Sequence, residues 1–423
     1  FLVPALPALR IALHSSAEWT TWAVSAYILV GCALTPVMTR IGDQFGKRRV
    51  LLLCLGVFLV ASVGAMASRD VAMLIAFRAI QGLALVTLPL SFALIHDEYP
   101  PEKQGMALGA VTGAMGFGAG AGLVVSGAVL DVASWPWLFV AADALAALAL
   151  VLVWRFVPEA PRAPRTPLDP WGAVFLAGGL LMLLTSVTLG PSSGWTSPIV
   201  LGLAVASVVA FALWVRVEAR VPYPMVSFRS LRIRSVLLVN VGALLSGFAL
   251  YAAYIILPEL VQLPRILPPD LQADATYGLG LPATEVGLVM LPGMVAMGVL
   301  GPLAGALMNR IGPPRVMALG LASLTVGALV LVVLHHTPWE VSLGFLFIGA
   351  GWTFAIAAPP RIVSDAVPPD QTGIANGLNS TLRITGTMIG GQFAVAVLVD
   401  TAVTRGVPSQ GGFVICFWLA ALA

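Results

Sequence analysis

Lysine occurs only at 47 and 103, and the charged residues together make up 10% of the 423-residue chain. A soluble domain needs a polar skin that so few charges cannot provide. The mean hydropathy of +0.97 excludes that class. Cysteine is almost as scarce: Cys32, Cys54 and Cys416 all lie in apolar runs, where a thiol behaves as a small hydrophobe. Their spacing excludes a disulfide framework and a thiolate metal site. Of the four histidines, His335 and His336 share one turn with no further ligand residues beside them, so no bound metal is expected. A net charge of +3 gives no basis for nucleic-acid binding. Basic residues are nearly all arginine, a bias of GC-rich bacterial genomes.

What fills the chain instead is a series of apolar runs: 1–9, 19–38, 50–67, 71–95, 106–130, 136–156, 170–189, 198–215, 236–257, 283–308, 316–334, 341–359, 374–399 and 413–423. Most have the roughly twenty residues that a helix needs to cross about 30 Å of hydrocarbon. They are continuous rather than alternating, which favours helices over a β-barrel. The spacing therefore predicts an all-α integral membrane protein of fourteen transmembrane helices. The first and last runs are too short to span, so the expectation is that both are truncated. Re-entrant ends are the alternative.

Charge sets the expected orientation. Of the 22 lysines and arginines, Arg78 and Arg383 fall inside apolar runs. If residues 10–18 lie outside and the loops alternate from there, Arg10, Arg69, Arg265 and Arg405 are external and the other sixteen internal. The positive-inside rule then places the loop IGDQFGKRR, residues 41–49, on the cytoplasmic face.

The chain also repeats itself. PPEKQGMALG (100–109) and PPDQTGIANG (368–377) match at an offset of 268, and TRIGDQFGKRRV (39–50) has a weaker echo in GALMNRIGPPRV (305–316) at 266. Asn309 there stands for Asp43, and Gly312 for Gly46. Such a duplication predicts two parallel, pseudo-symmetric six-helix bundles with a substrate site near the midplane between them. The expected parts are a first bundle over 1–157, a Pro-rich basic cytoplasmic linker over 158–170, two extra helices over 170–218 and a second bundle over 232–423. The external stretch 259–284 reads as a connector or as a lid.

Several residues stand out against this background. In IGDQFGKRR, Gly42 and Gly46 allow a tight turn. Asp43 could pair with a base of the same loop or cap a neighbouring helix start, and Lys47, Arg48 and Arg49 can face anionic headgroups. Arg78 sits mid-helix, where a charge needs a partner or water; its counterpart near Phe347 is apolar. Asp143 is an intramembrane acid and hence a proton-site candidate, with a fixed ion pair to Arg78 as the alternative. Glu259, near an outer helix end, could bind protons or a cationic substrate, or face water. Arg383 could neutralise an anionic substrate group or pair with an acid. Gly105, Gly109 and Gly113, and again Gly118 and Gly122, recur every four residues, a spacing that lets helices pack closely. Trp22, Tyr27, Tyr251, Tyr254 and Trp352 could line a cavity or act as interface anchors. Asn379 could contact substrate or bond between helices. Nothing shows the nucleophile, base or metal spacing of an enzyme.

These motifs carry a resemblance. TRIGDQFGKRR (39–49) resembles the loop signature between helices 2 and 3 of the major facilitator superfamily, with Thr39 in place of its first glycine. LIAFRAIQGLALV (74–86) resembles the fourth-helix signature. GAMGFGAGAGLVVSG (113–127) resembles the fifth-helix antiporter motif, with Gly122-Leu123 where that motif has Gly-Pro. VPALP (3–7) looks like the tail of the first-helix motif, whose acid would precede residue 1. Across the whole chain the likeness is to the fourteen-span drug:proton antiporters. It implies a monomeric bacterial inner-membrane exporter of amphipathic or cationic small molecules, driven by a proton gradient and without a cofactor. Asp43, Gly46, Lys47, Arg48 and Arg49 would then latch the two halves, while Arg78, with Asp143, Glu259 and Arg383, would serve proton coupling. A lipid, siderophore or metabolite carrier of the same fold is the alternative; a membrane enzyme or receptor is a more distant one.

Overall fold

Proline, glycine and short polar residues punctuate the apolar runs, and they set where helices begin. Asp70 accepts the amide of Met73 at 2.8 Å and Asp169 that of Gly172 at 2.9 Å. Thr337 and Glu340 form a reciprocal capping box, and prolines open helices at 101, 136, 170, 198, 313 and 338, where their missing N–H costs nothing.

The computed structural model describes residues 2, 5–159, 169–221, 232–263, 277–402 and 408–423. The order is α1 (Leu6–Ala12), α2 (Ala17–Phe45), α3 (Lys47–Met66), α4 (Val71–Gln81), a 3-10 turn (Gly82–Val86), α5 (Thr87–Glu98), α6 (Pro101–Val132), α7 (Pro136–Phe156), α8 (Pro170–Ser193), α9 (Pro198–Glu218), α10 (Arg234–Gln262), α11 (Ala283–Ile311), α12 (Pro313–Val333), α13 (Pro338–Ala357), α14 (Pro359–Ala366), α15 (Thr372–Asp400) and α16 (Gln410–Leu422). Eleven candidate spans among the described residues are long and apolar enough to cross a membrane. Two of them, Val71–Glu98 and Pro338–Ala366, join consecutive helices. In addition α6 is a helix of 32 residues. The end runs fall on α1 and α16, with 7 and 13 residues. Most of the linker 158–170 lies outside the described residues.

Large apolar side chains on the rim of the bundle are exposed, among them Leu145, Leu148, Val151 and Leu152 on α7. That is the surface a bilayer covers. Inside, α2, α3, α4 and α7 pack together, and so do α10, α13, α15 and α16. Two long contacts tie the halves, α2 along α15 and α6 along α11, with lesser ones from α5 to α14 and α15 and from α6 to α13. The helix α8 packs on α9, on α2 and on α15. Of the stretch 259–284, residues 277–281 fold back onto the end of α10: the amides of Leu279, Gly280 and Leu281 donate to the carbonyls of Leu260, Leu263 and Val261. Tyr277 and Leu279 are buried there, as in a connector; residues 264–276 lie outside the described residues.

Candidate functional site

The loop between α2 and α3 is built around Gly46, whose φ of +112° an L side chain rarely adopts. A Cβ there would also overlap the carboxylate of Glu159. This turn sets Asp43 and Lys47 one helical turn apart, both nearly fully buried. The carboxylate of Asp43 does not stay within its own loop. Oδ1 accepts the Gly373 amide at 3.0 Å and Oδ2 the Ile374 amide at 2.9 Å. These are first-turn amides of α15, which no intrahelical carbonyl satisfies, and the helix dipole favours an anion there. Lys47 Nζ lies 3.3 Å from Asp43 Oδ1 and 2.5 Å from Asp97 Oδ2, and donates to Thr372 Oγ1 at 2.8 Å. One cation thus joins two acids and the start of α15.

The expectation that Lys47, Arg48 and Arg49 all face headgroups is corrected here. Lys47 is buried, because two carboxylates compensate its desolvation. Arg48 is half-buried and donates to the carbonyl of the exposed Trp154 at 2.5 Å. Only Arg49 remains exposed, 3.4 Å from Glu159.

The second half holds a neutral version. Asn309, the counterpart of Asp43, donates from Nδ2 to the Glu102 carbonyl near the start of α6 at 2.6 Å and accepts from Arg361 Nη1 at 2.9 Å. Gly312, like Gly46, has a positive φ, +88°.

From this basic end the two contacts run inward. Along α6 and α11, a Cβ on Gly105, Gly109 or Gly113 would overlap the carbonyl oxygen of Gly305, Gly301 or Gly298, respectively. The pattern of small residues on α6 thus finds a partner stripe on α11. Gly118 corrects the expectation: it is exposed, and a Cβ there would meet nothing within 4 Å, because, five residues after Gly113, it lies off the side of α6 on which Gly116 still meets Met297. Gly122 is buried. Along α2 and α15, a Cβ on Gly377 would overlap Thr39 Oγ1. Farther in, Cys32 Sγ donates to the Thr381 carbonyl at 3.6 Å and Thr381 Oγ1 to the Cys32 carbonyl at 3.3 Å. The basic end is closed along both seams.

The other predicted residues do not converge on one point. Arg78 donates from Nε to the Ala23 carbonyl and from Nη1 to Gln81 Oε1, each at 2.9 Å, and lies 4.5 Å over the Tyr27 ring. The alternative of an ion pair with Asp143 is not met. Asp143 is half-buried beside Ser62 of α3. Tyr27, Arg78 and Gln81 line a cavity of about 230 Å³ together with Phe58, Leu138, Phe139 and Ala142; it lies inside the first group of helices, not between the halves. Arg383 is buried and donates to Ser380 Oγ at 3.3 Å; no carboxylate lies within ion-pair distance of it among the described residues. Glu259 is exposed. Trp352 is core, in one cluster with Phe345 and Ile348, and Asn379 is buried with its amide bonded to Asn240 at 2.9 Å, the interhelical alternative. Trp22 packs beside Leu29 and Cys32, and Tyr251 stacks on Tyr254 with centroids 6.0 Å apart.

Comparison with known proteins agrees with this geometry. The family model of the Major Facilitator Superfamily matches residues 1–391. The chain is 29% identical to the uncharacterized transporter YebQ of Escherichia coli (strain K12), over 93% of this chain and 84% of that protein. It is 26% identical to multidrug resistance protein 3 of Bacillus subtilis, over 87% and 70%. Identity to the tetracenomycin C resistance and export protein of Streptomyces glaucescens is also 26%, over 93% and 70%. Among solved structures, the proton:xylose symporter XylE superposes with a TM-score of 0.65 at 14% identity, covering 100% of this chain and 89% of that one. That likeness concerns the fold.

Proposed function

Because the chain belongs to the Major Facilitator Superfamily, a family of transporters and not of enzymes, we propose that it is a fourteen-span, proton-driven exporter of amphipathic or cationic small molecules. It works by alternating access in a bacterial cytoplasmic membrane, as a monomer, with the basic end facing the cytoplasm. The proton gradient drives it and no cofactor takes part. The moving bodies are bundles over 1–157 and 232–423, with residues 170–218 as extra helices between them.

The observation that carries this reading is the bond from Asp43 to the first-turn amides of α15. A buried carboxylate of one half that caps a helix of the other is a latch. It holds the cytoplasmic side shut only while its charge-assisted hydrogen bonds persist. Gly46 sets its turn, Lys47 binds it to Asp97, and Arg48 and Arg49 fix the loop to residues 154–159. In this reading Arg78 and Asp143 belong to the proton path. Arg383 and Glu259 are the remaining charges that a cycle could use, and Trp22, Tyr27, Tyr251 and Tyr254 are the aromatic candidates for substrate contact. The resistance named in the relatives from Bacillus subtilis and Streptomyces glaucescens supports drug-like cargo.

The test uses everted membrane vesicles, acid inside, with ethidium as the probe, comparing wild type with Asp143→Asn. Uptake by wild type that a protonophore abolishes is the expected result, with Asp143→Asn inactive. Uptake by both moves the proton site to another acid. Uptake by neither removes the support for cationic cargo and favours the lipid, siderophore or metabolite reading.

A further inference from the structure

We propose that α8, the first of the two extra helices, is an apolar clip that holds the α2–α15 seam closed and must release one side when the seam opens. This rests on the alternating-access reading above.

Three leucines of α8 carry the inference. Leu176, Leu180 and Leu184 recur every four residues and so form one stripe. Their relative exposures are 2%, 6% and 0%, although the helix belongs to neither bundle. Leu176 and Leu180 share one apolar cluster with Ala33 of α2 and Ile374 of α15. Leu184 shares the next with Leu29 and Cys32 of α2 and Met388 of α15. Thus the stripe lies across the line where the two halves meet, over the depth from the Asp43 latch to Cys32. The opposite face of α8 looks outward: Val174 and Leu181 are 59% and 39% exposed.

A side chain wedged against two helices cannot stay packed on both when they part. Opening the seam therefore strips these leucines from α2 or from α15, and the lost packing opposes it. In lipid the penalty comes from close contact rather than from the exclusion of water. The other seam, α6–α11, closes on glycine backbones, on the bond from Asn309 to the Glu102 carbonyl and on Leu108 against Ala304 and Met308. The extra helices thus make the two seams unequal: α8 lies across the first.

Cys32 is a native reporter. It is fully buried at the clipped seam, and Cys54 and Cys416 can be replaced by serine without touching that contact. The rate at which maleimide labels Cys32 in everted membranes reads how often the seam opens, and it needs neither substrate nor gradient. In that background Leu176→Ala/Leu180→Ala is expected to raise the rate at least about tenfold, corresponding to about 1.4 kcal/mol. Val174→Ala/Leu181→Ala, on the lipid face, should leave it within about twofold. Equal rates for the two pairs, or no change in the first while Asp43→Asn accelerates labelling, would overturn the clip and leave the latch standing. No acceleration in Asp43→Asn or in either pair would overturn the opening of this seam, and the clip with it.

Discussion

Asp43 and Ile374 stand 331 positions apart in the chain, and the carboxylate of one accepts the amide of the other at 2.9 Å. The bond joins the end of α2 to the start of α15, so one of the two seams that shut the basic end carries a buried charge.

Replacing that charge tests its role. Asn in place of Asp43 keeps the shape but loses the anion that two amides and Lys47 share. Hydrogen bonds to charged groups contribute about 1.5–3 kcal/mol each. Asp43→Asn should lower gradient-driven ethidium uptake at least about tenfold, with an unchanged amount of protein in the membrane by immunoblot. Uptake at the wild-type rate would dismiss the latch.

The glycine seam makes a steric prediction. Since a Cβ on Gly109 would overlap the Gly301 carbonyl, Gly109→Leu should keep α6 and α11 apart, at a cost of about 1–3 kcal/mol of overpacking. Transport should be lost while insertion persists. Gly118→Ala, facing open space, should transport as wild type does. Equal effects at the two positions would show that the close approach is not what matters.

Arg78 is held by a fork: one N–H on the Ala23 carbonyl, another on Gln81, and a ring beneath. Lysine supplies the charge without the fork. Arg78→Lys should therefore bind ethidium in fluorescence titrations as wild type does but lose accumulation against a gradient. Full accumulation by the lysine variant would remove Arg78 from the coupling path.

At the end opposite the latch, His335 offers a pH test. Its Nδ1–H donates to the Leu331 carbonyl at 2.9 Å, which leaves Nε2 to accept from Gln410 at 3.1 Å. Burial, and then the neighbouring His336, push its pKa below the ordinary 6.5. The unfolded chain therefore binds the proton more readily, so this group's stabilisation is complete above pH 6.5 and is lost as the pH falls below it. The melting temperature in detergent should drop between pH 7 and 5 more in wild type than in His335→Gln. Parallel curves would show that the ring does not titrate there.

How much of this was legible in the sequence follows from what periodicity encodes. Apolar length marks a span, so the runs from 19 to 399 coincide with helices. The matched stretches at 100–109 and 368–377 come to lie at the starts of α6 and α15. Gly46 announced its turn. Partners were harder to read. Asp43 is answered by backbone amides of Gly373 and Ile374, which have no side-chain signature. Lys47 looked like a headgroup contact because its partner Asp97 lies 50 residues on. Trp352 read as a cavity residue or an anchor and Asn379 as a substrate contact or an interhelical bond, because an apolar run does not say which of its faces meets a neighbour, and Gly118 continues a small-residue pattern on a side of α6 that does not meet α11. Four-residue spacing on α8 was visible too, but nothing in the sequence said that both α2 and α15 lie against it.

Alternating access requires that the basic end, closed here along two seams, also opens. Residues 103 and 310 are exposed at the starting end of α6 and the finishing end of α11. Spin labels there, in a cysteine-free background, report the separation directly by pulsed electron resonance. The expected result is a short distance in wild type and a second, longer population that grows in Asp43→Asn. A single short distance in both, at every pH from 5 to 8, would contradict a transporter that works by opening this seam.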